Sequence, residues 1–133
     1  MHDQNLDSSS APALALGCMA MSGAYGKTDD AQSIAVIHAA IERGVTLLDT
    51  GDFYGMGHNE LLLGEALKRR NRDDILISVK FGALRAPDNS WGSYDARPAA
   101  VKNFLAYSLQ RLGTGHIDIY RPARLDPNVP IED

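Results

Sequence analysis

The 133-residue chain is 44% apolar and 23% charged, the balance of an ordinary globular domain long enough to bury a core. Its net charge of −4 excludes the general basic face that nucleic acid or an anionic membrane would need, and no apolar run reaches the ~18–20 residues of a membrane span. Cys18 is the only cysteine, which excludes an internal disulfide and makes a reducing compartment, the cytoplasm, the expected location.

Residues 1–12 are polar, lack the basic and apolar regions of a signal peptide, and read as a flexible tail, leaving 13–133 as the domain. Ala13–Leu16 reads as a first strand, followed by the turn GCMAMSGAYG. Thr28 is placed to cap a first helix with Asp29 and Asp30 in its first turn, where the helix dipole favours acids. Ile34, Ile37, Ala40 and Ile41 give that helix one apolar face, and Gly44 ends it. Val45–Asp49 is a nearly continuous apolar run, as in a strand covered on both faces. Asn59 reads as the cap of a second helix, with Leu62, Leu63, Ala66 and Leu67 inward and Lys68, Arg69 and Arg70 complementing its negative end. Gly64 inside this helix costs about 1 kcal/mol against alanine, which points to close packing.

Ile75–Lys80 is the third strand, and Gly82–Ala96 a polar loop. Pro98 suits the first turn of a third helix, whose stripe is Val101, Phe104, Leu105, Ser108, Leu109 and Leu112, closed by Gly113. Ile117–Arg121 is the fourth strand, and Pro130 followed by Ile-Glu-Asp reads as the start of a further helix. Strands alternating with helices predict a parallel sheet in an α/β fold. An open dinucleotide-binding sheet would carry G-x-G-x-x-G after the first strand, and GCMAMSGAYG does not match. The polar candidates instead gather at the C-terminal ends of strands, as in a (β/α)₈ barrel, which needs about 250 residues. The expected fold is therefore a partial (β/α)₈ TIM barrel of about four strands and three helices. Leu48, Ile77 and Val79 are expected on its inner face, with both sheet edges open and available for self-association.

Asp49, Tyr54 and Lys80 are the candidate catalytic residues. A carbonyl gains negative charge on oxygen as hydride reaches its carbon, so a nearby proton donor lowers the barrier. Tyr54 is that donor. The ammonium of Lys80 stabilises the phenolate left behind, and Asp49 keeps Lys80 charged and oriented. Phe53, Trp91 and Tyr94 are placed to line a pocket beside the loops, and a loop tryptophan such as Trp91 serves equally to pack over the barrel mouth. A metal-dependent reading using Asp49, Asp52, His58 and Glu60 competes weakly, and no metal is expected.

The words GCMAMSGAYG, GVTLLDTGDFYGMGHNELLLGEAL, ILISVKFG and SLQRLGTGHIDIY, in this order, resemble the aldo-keto reductases. The DT-x-x-x-YG-x-x-x-NE stretch is the most specific, because it fixes several polar types at fixed spacing. The resemblance runs from about Leu14 to Asp133. It implies a barrel that transfers hydride between NADP(H) and a small aldehyde or ketone. It assigns Asp49, Tyr54 and Lys80 to three places of an Asp-Tyr-Lys-His tetrad. Gly17, Cys18, Met19 and Asp49 fall near the nicotinamide ribose, and Tyr54 and Trp91 at the substrate.

Two departures follow from the same resemblance. The fourth strand ends Asp118-Ile119-Tyr120-Arg121-Pro122-Ala123 where the family has D-x-Y-x-x-H, so Ala123 replaces the histidine. His116 precedes the strand and belongs at the opposite end of the barrel, while Arg124 is a weak candidate to compensate. The later strands, which in the family supply the nicotinamide platform and the phosphate pocket, have no counterpart in the sequence. The chain is therefore expected to be an impaired or inactive oxidoreductase module, or else a non-catalytic fragment or association partner.

Overall fold

The structure is a computed structural model that describes Pro12 and residues 14–133. The tail assigned to 1–12 lies outside those residues except for Pro12, as does Ala13 of the expected first strand. The elements are β1 (Ala15–Gly17), α1 (Asp30–Glu42), β2 (Leu47–Gly51), α2 (His58–Leu67), β3 (Leu76–Phe81), β4 (Ala83–Arg85), β5 (Trp91–Tyr94), α3 (Pro98–Leu112) and β6 (Ile119–Pro122). β1, β2, β3 and β6 form one parallel sheet in that order, and β4 pairs antiparallel with β5. Each strand lies beside the one before it in the βα sequence. Right-handed crossovers therefore put all three helices on one side of the sheet.

Four local expectations change. Asp29, not Thr28, caps α1, its carboxylate accepting the Gln32 backbone N–H at 2.8 Å. α2 begins at His58 after a left-handed Gly57, so Asn59 lies inside the helix and is fully buried. The polar loop 82–96 contains the β4–β5 hairpin. The segment after Pro130 makes only a turn, closed by Asp133 N donating to Pro130 O at 3.2 Å.

The register decides which strand residues reach the core. Gly17, Asp49, Ser78 and Ile119 stand side by side, and Gly51, Lys80 and Arg121 align two residues further on. Because side chains alternate, these share one face. Leu16, Leu48, Ile77, Val79 and Tyr120 share the other, and Leu48, Ile77 and Val79 are buried with Ile37, Leu62, Leu63 and Ala66 of the helices. Leu48, Ile77 and Val79 therefore face the helices and not the inner face. The continuous apolar runs that suggest two covered faces conceal this. Only their alternate members meet the helix layer, and the inner face carries Asp49, Ser78, Lys80 and Arg121.

Gly64 sits where α2 crosses α3. A Cβ there would stand 2.7 Å from Arg111 O and 3.0 Å from Leu112 O, so only glycine allows the two helices this close. Tyr120 stacks on Phe81 with ring centroids 4.4 Å apart and closes the layer at β6.

Candidate active site

The C-terminal ends of β1, β2, β3 and β6 converge on one mouth, where the register has already placed Asp49, Lys80 and Arg121 on a common face. Tyr54 joins them from a turn that directly follows β2. There the chain passes through left-handed backbone at Gly55 (φ 58°), Met56 (φ 53°) and Gly57 (φ 96°) before entering α2. Glycine is required at two of these places. A Cβ at Gly55 would press on the Ser22 and His58 side chains at 3.0 Å, and one at Gly57 would meet Arg111 at 2.8 Å. The G-x-G of the sequence thus shapes the turn that presents a phenol.

Behind this turn, buried Asn59 ties three segments together. It accepts from Thr50 Oγ1 at 2.6 Å and donates to Cys18 O at 2.8 Å and to Ser22 Oγ at 2.7 Å. The 18–22 loop, β2 and α2 are therefore fixed to one another directly beneath the mouth. A fully satisfied amide in a low-dielectric layer specifies one arrangement strongly.

At the centre, Lys80 Nζ donates to Tyr54 OH at 2.7 Å and to Asp49 Oδ2 at 2.6 Å. Asp49 Oδ1 accepts from Ser78 Oγ and from Arg121 Nη2, each at 2.9 Å. Burial by itself raises the Asp49 carboxyl, but the hydrogen bonds from Lys80, Ser78 and Arg121 and the Lys80 charge outweigh it and hold it below the usual carboxylate range. Burial likewise pulls the Lys80 ammonium down, and its bonds to Asp49 and Tyr54 more than reverse that, leaving it raised. Both groups are held charged. The result is a phenol hydrogen-bonded to a fixed cation whose counter-ion is itself shared.

A cleft of about 540 Å³ opens over this group, lined among others by Met19, Tyr54, Lys80, Trp91, Ala123 and Arg124. Trp91 comes from the hairpin, meets Phe53 edge-on at 5.7 Å, and leaves 63% of its surface open. Phe53 in turn meets Tyr54 edge-on at 5.0 Å. Arg85 stacks over Trp91, its guanidinium carbon 4.0 Å from the ring centroid. The hairpin is therefore an aromatic wall for the cleft.

The structure thus brings Asp49, Tyr54, Lys80 and Trp91 together. Met19 lines the same cleft, and Gly17 lies on the open face with nothing within 4 Å of where a Cβ would be, which leaves room for a flat group or a sugar against the end of β1. Cys18 behaves differently from its neighbours. Its thiol is fully buried, directed at Leu16 O, and pushed up to about 12 by burial and the Asp49 charge. Only its backbone faces the mouth, its N–H donating to Asp49 O at 2.9 Å.

Ala123 extends the β3–β6 pairing by one bond to Phe81 O, at 2.8 Å, and lines the cleft with a methyl group. His116 lies at the far end of β6, where its carbonyl accepts from Arg72. The candidate metal residues are engaged elsewhere: His58 with Ser22 and Asp30, Glu60 with Arg111, and Asp49 with Lys80. Among the described residues, no group of three or more His, Cys, Asp or Glu is placed to hold a metal ion. No helix among them is long and apolar enough to cross a membrane.

The reading from sequence alone missed Arg121 and Ser78 as partners of Asp49. The signal was available in principle, since both are polar residues on strands otherwise built from apolar ones. It needed the strand register to become visible.

Comparison with known proteins accords with this geometry. The model of the Aldo/keto reductase family matches residues 13–133. The chain is 41% identical over 123 residues to a probable aldo-keto reductase 1 of Glycine max, covering 90% of this chain and 35% of that protein. An aldo-keto reductase from Bacillus halodurans, solved in its holo form, superposes with a TM-score of 0.76 at 34% identity, over 90% of this chain and 38% of that one. A glycerol dehydrogenase from Gluconobacter oxydans gives a TM-score of 0.78 at 32% identity, over 89% and 37%. The chain therefore spans little more than a third of the length of these relatives. Its four-stranded parallel sheet with helices on one side matches the corresponding part of their barrel. By sequence and by structure, the chain belongs to the aldo/keto reductase family.

Proposed function

We propose that this chain carries the proton-donating part of an NADP(H)-dependent oxidoreductase site that interconverts a small aldehyde or ketone and its alcohol. The observation that carries the reading is the pair of bonds from Lys80 Nζ, to Tyr54 OH at 2.7 Å and to Asp49 at 2.6 Å, inside one aromatic-walled cleft. The residues present fit the reacting half of such a cofactor. The open end of β1 at Gly17, the side chain of Met19 and the Asp49 carboxylate border the space a nicotinamide ribose would use. When bound, the cofactor supplies the hydride.

Tyr54 then delivers its proton to the carbonyl oxygen, and the phenolate that remains is stabilised by the Lys80 ammonium against which it already rests. Asp49 holds Lys80 in place and keeps it protonated. Trp91 and Phe53 exclude water from one side of the cleft. With Ala123 in place of an imidazole, one donor to the carbonyl oxygen is lost. We therefore read the isolated chain as weakly active or inactive. The edges of β1 and β6 are each paired on one side only, and self-association through them belongs to the same proposal. So does a cytoplasmic location, where Cys18 stays a thiol.

The test is NADPH oxidation with a panel of simple aldehydes, alongside NADPH binding followed by nicotinamide fluorescence. Binding with slow turnover that falls by about 10²–10⁴ in Tyr54→Phe supports the reading. Turnover unchanged in Tyr54→Phe and Lys80→Met would refute it. A second reading, a non-catalytic chain that keeps the fold, is favoured by Ala123, and a complete absence of NADPH binding would select it.

A further inference from the structure

Away from the mouth, Lys68, Arg70, Arg72, Arg97 and Arg111 each have a carboxylate of their own, in Glu65, Glu42, Asp118, Asp95 and Glu60, while Arg43 bonds the Ala39 carbonyl. At the mouth one acid serves two bases. Lys80 and Arg121 share the single carboxylate of Asp49. Arg124 lines the cleft, and its hydrogen bond is to the Ala123 carbonyl and not to an acid. Arg85 stands over Trp91 on the opposite wall, and no carboxylate lies within ion-pair distance of it among the described residues. Among the described residues, the lining of the cleft contains no Asp or Glu. Lys80, Arg121 and Arg124 thus stand with one anion, Asp49, at the open end of the sheet, and Arg85 lies beyond them on the hairpin, in a chain whose net charge is −4. A local surplus of charge opposite in sign to that of the whole molecule attracts an anion, and a concave setting focuses its field.

We propose that the cleft selects carbonyl compounds that also carry a carboxylate, with Arg124 as the residue that receives it and Arg121 as the residue that leaves the site positive. This rests on the carbonyl oxidoreductase reading above and adds a substrate class to it. The division of labour follows from position. Tyr54 and Lys80 face the carbonyl end. Arg124 lies one residue beyond Ala123 at the end of β6, and alanine contributes only a methyl group to the wall they share. A guanidinium there presents a planar fork that a carboxylate can meet with two parallel hydrogen bonds. Arg121 acts at one remove. By taking Asp49 Oδ1 at 2.9 Å, it prevents that carboxylate from fully cancelling Lys80. Without Arg121 the Asp49–Lys80 pair is neutral, with it the group is a cation.

The single tryptophan of the chain, Trp91, lines this cleft and reports on occupancy without any cofactor. The experiment titrates the full chain with benzoylformate and with its methyl ester, which share the carbonyl and the ring and differ in the charge. Quenching of Trp91 at least tenfold tighter for the acid, with an advantage that shrinks as salt is raised, supports the proposal. Arg124→Gln should then lose about tenfold for the acid and leave the ester unchanged, and Arg121→Gln should lose a smaller factor in the same selective way. Equal affinity for acid and ester, an equal loss for both ligands in Arg124→Gln, or no response to the acid overturns it. Both arginines are substantially exposed, so these variants should keep the wild-type circular dichroism. The measurement needs no hydride transfer. Loss of the anion preference therefore leaves the oxidoreductase reading standing, and inactivity of the Tyr54 experiment leaves this one to be judged by itself.

Discussion

The two sides of the sheet handle charge in opposite ways. On the open side, the cations outnumber the acid, and each charged group keeps part of its surface in water. On the helix side, the acids are in excess. Glu60 is fully buried and paired with Arg111, and its second oxygen, Oε1, has no hydrogen-bond partner. Asp52 lies close by, and burial together with the Glu60 charge pushes its carboxyl up to about 7, against the opposing pull of Arg111. The Tyr120 hydroxyl is also buried and unpartnered there, raised by burial and by the same two acids. A partly wet ion pair contributes modestly to folding and remains available for chemistry, whereas a buried one binds little and is dangerous to break. The open side keeps its charges partly in water, and the helix side uses its charges to specify the fold that positions them.

The sharpest way to break this contrast is Glu60→Ala. It leaves Arg111 without its acid where α2, α3 and the Tyr54 turn meet, and it should destabilise the chain by about 3–5 kcal/mol in urea unfolding. A loss below about 1 kcal/mol would mean that the buried pair is not the structural element described here.

Asp52→Asn probes the surplus of acid on the same side. The folded carboxyl titrates near 7, well above its ordinary value of 3.8, so the folded state holds a proton that the unfolded state has already released. Stability must therefore fall as pH rises between those two values. The variant should be more stable than wild type by up to about 4 kcal/mol at pH 8, with the difference shrinking towards pH 4. Parallel stability curves for the two proteins between pH 4 and 8 would remove the surplus.

Gly64→Ala tests the close approach of α2 and α3 that brings Glu60 to Arg111. Helix propensity favours alanine by about 1 kcal/mol, but the collision with Arg111 O should cost about 1–3 kcal/mol and win. A stabilised variant would show that the helices are free to move apart. The smallest effect is expected on the open side. Asp49→Asn should lower stability at pH 7 by only about 1 kcal/mol. Because the folded Asp49 carboxyl is depressed, that contribution is present above the unfolded value and is lost as pH falls through the folded one. Wild type and variant should therefore converge in acid. A loss at pH 7 as large as that of Glu60→Ala would erase the difference between the two sides.

The sequence settled a good deal of this molecule by itself. Helical periodicity in Ile34–Ile41 and Leu62–Leu67 and the apolar runs before Asp49 and Lys80 depend on local spacing, so the βα order was readable without coordinates, as was the placement of Asp49 and Lys80 towards the C-terminal ends of their strands. The left-handed turn after β2 became visible only in the structure, at Gly55, Met56 and Gly57. What tertiary structure alone decided was which face of each strand meets the helices and which polar groups pair across distance. Leu48, Ile77 and Val79 were misassigned because an unbroken apolar run carries no period-two signal. Asn59 looked like a cap because capping is the commonest local use of that residue, yet its partners are Thr50, Cys18 and Ser22. Arg121 lies 72 residues from Asp49 in the chain and meets it only because parallel register aligns β6 with β3 and β2. Local propensity is written residue by residue, but register is a property of the whole sheet, and the charge balance at the mouth exists only once the strands lie side by side.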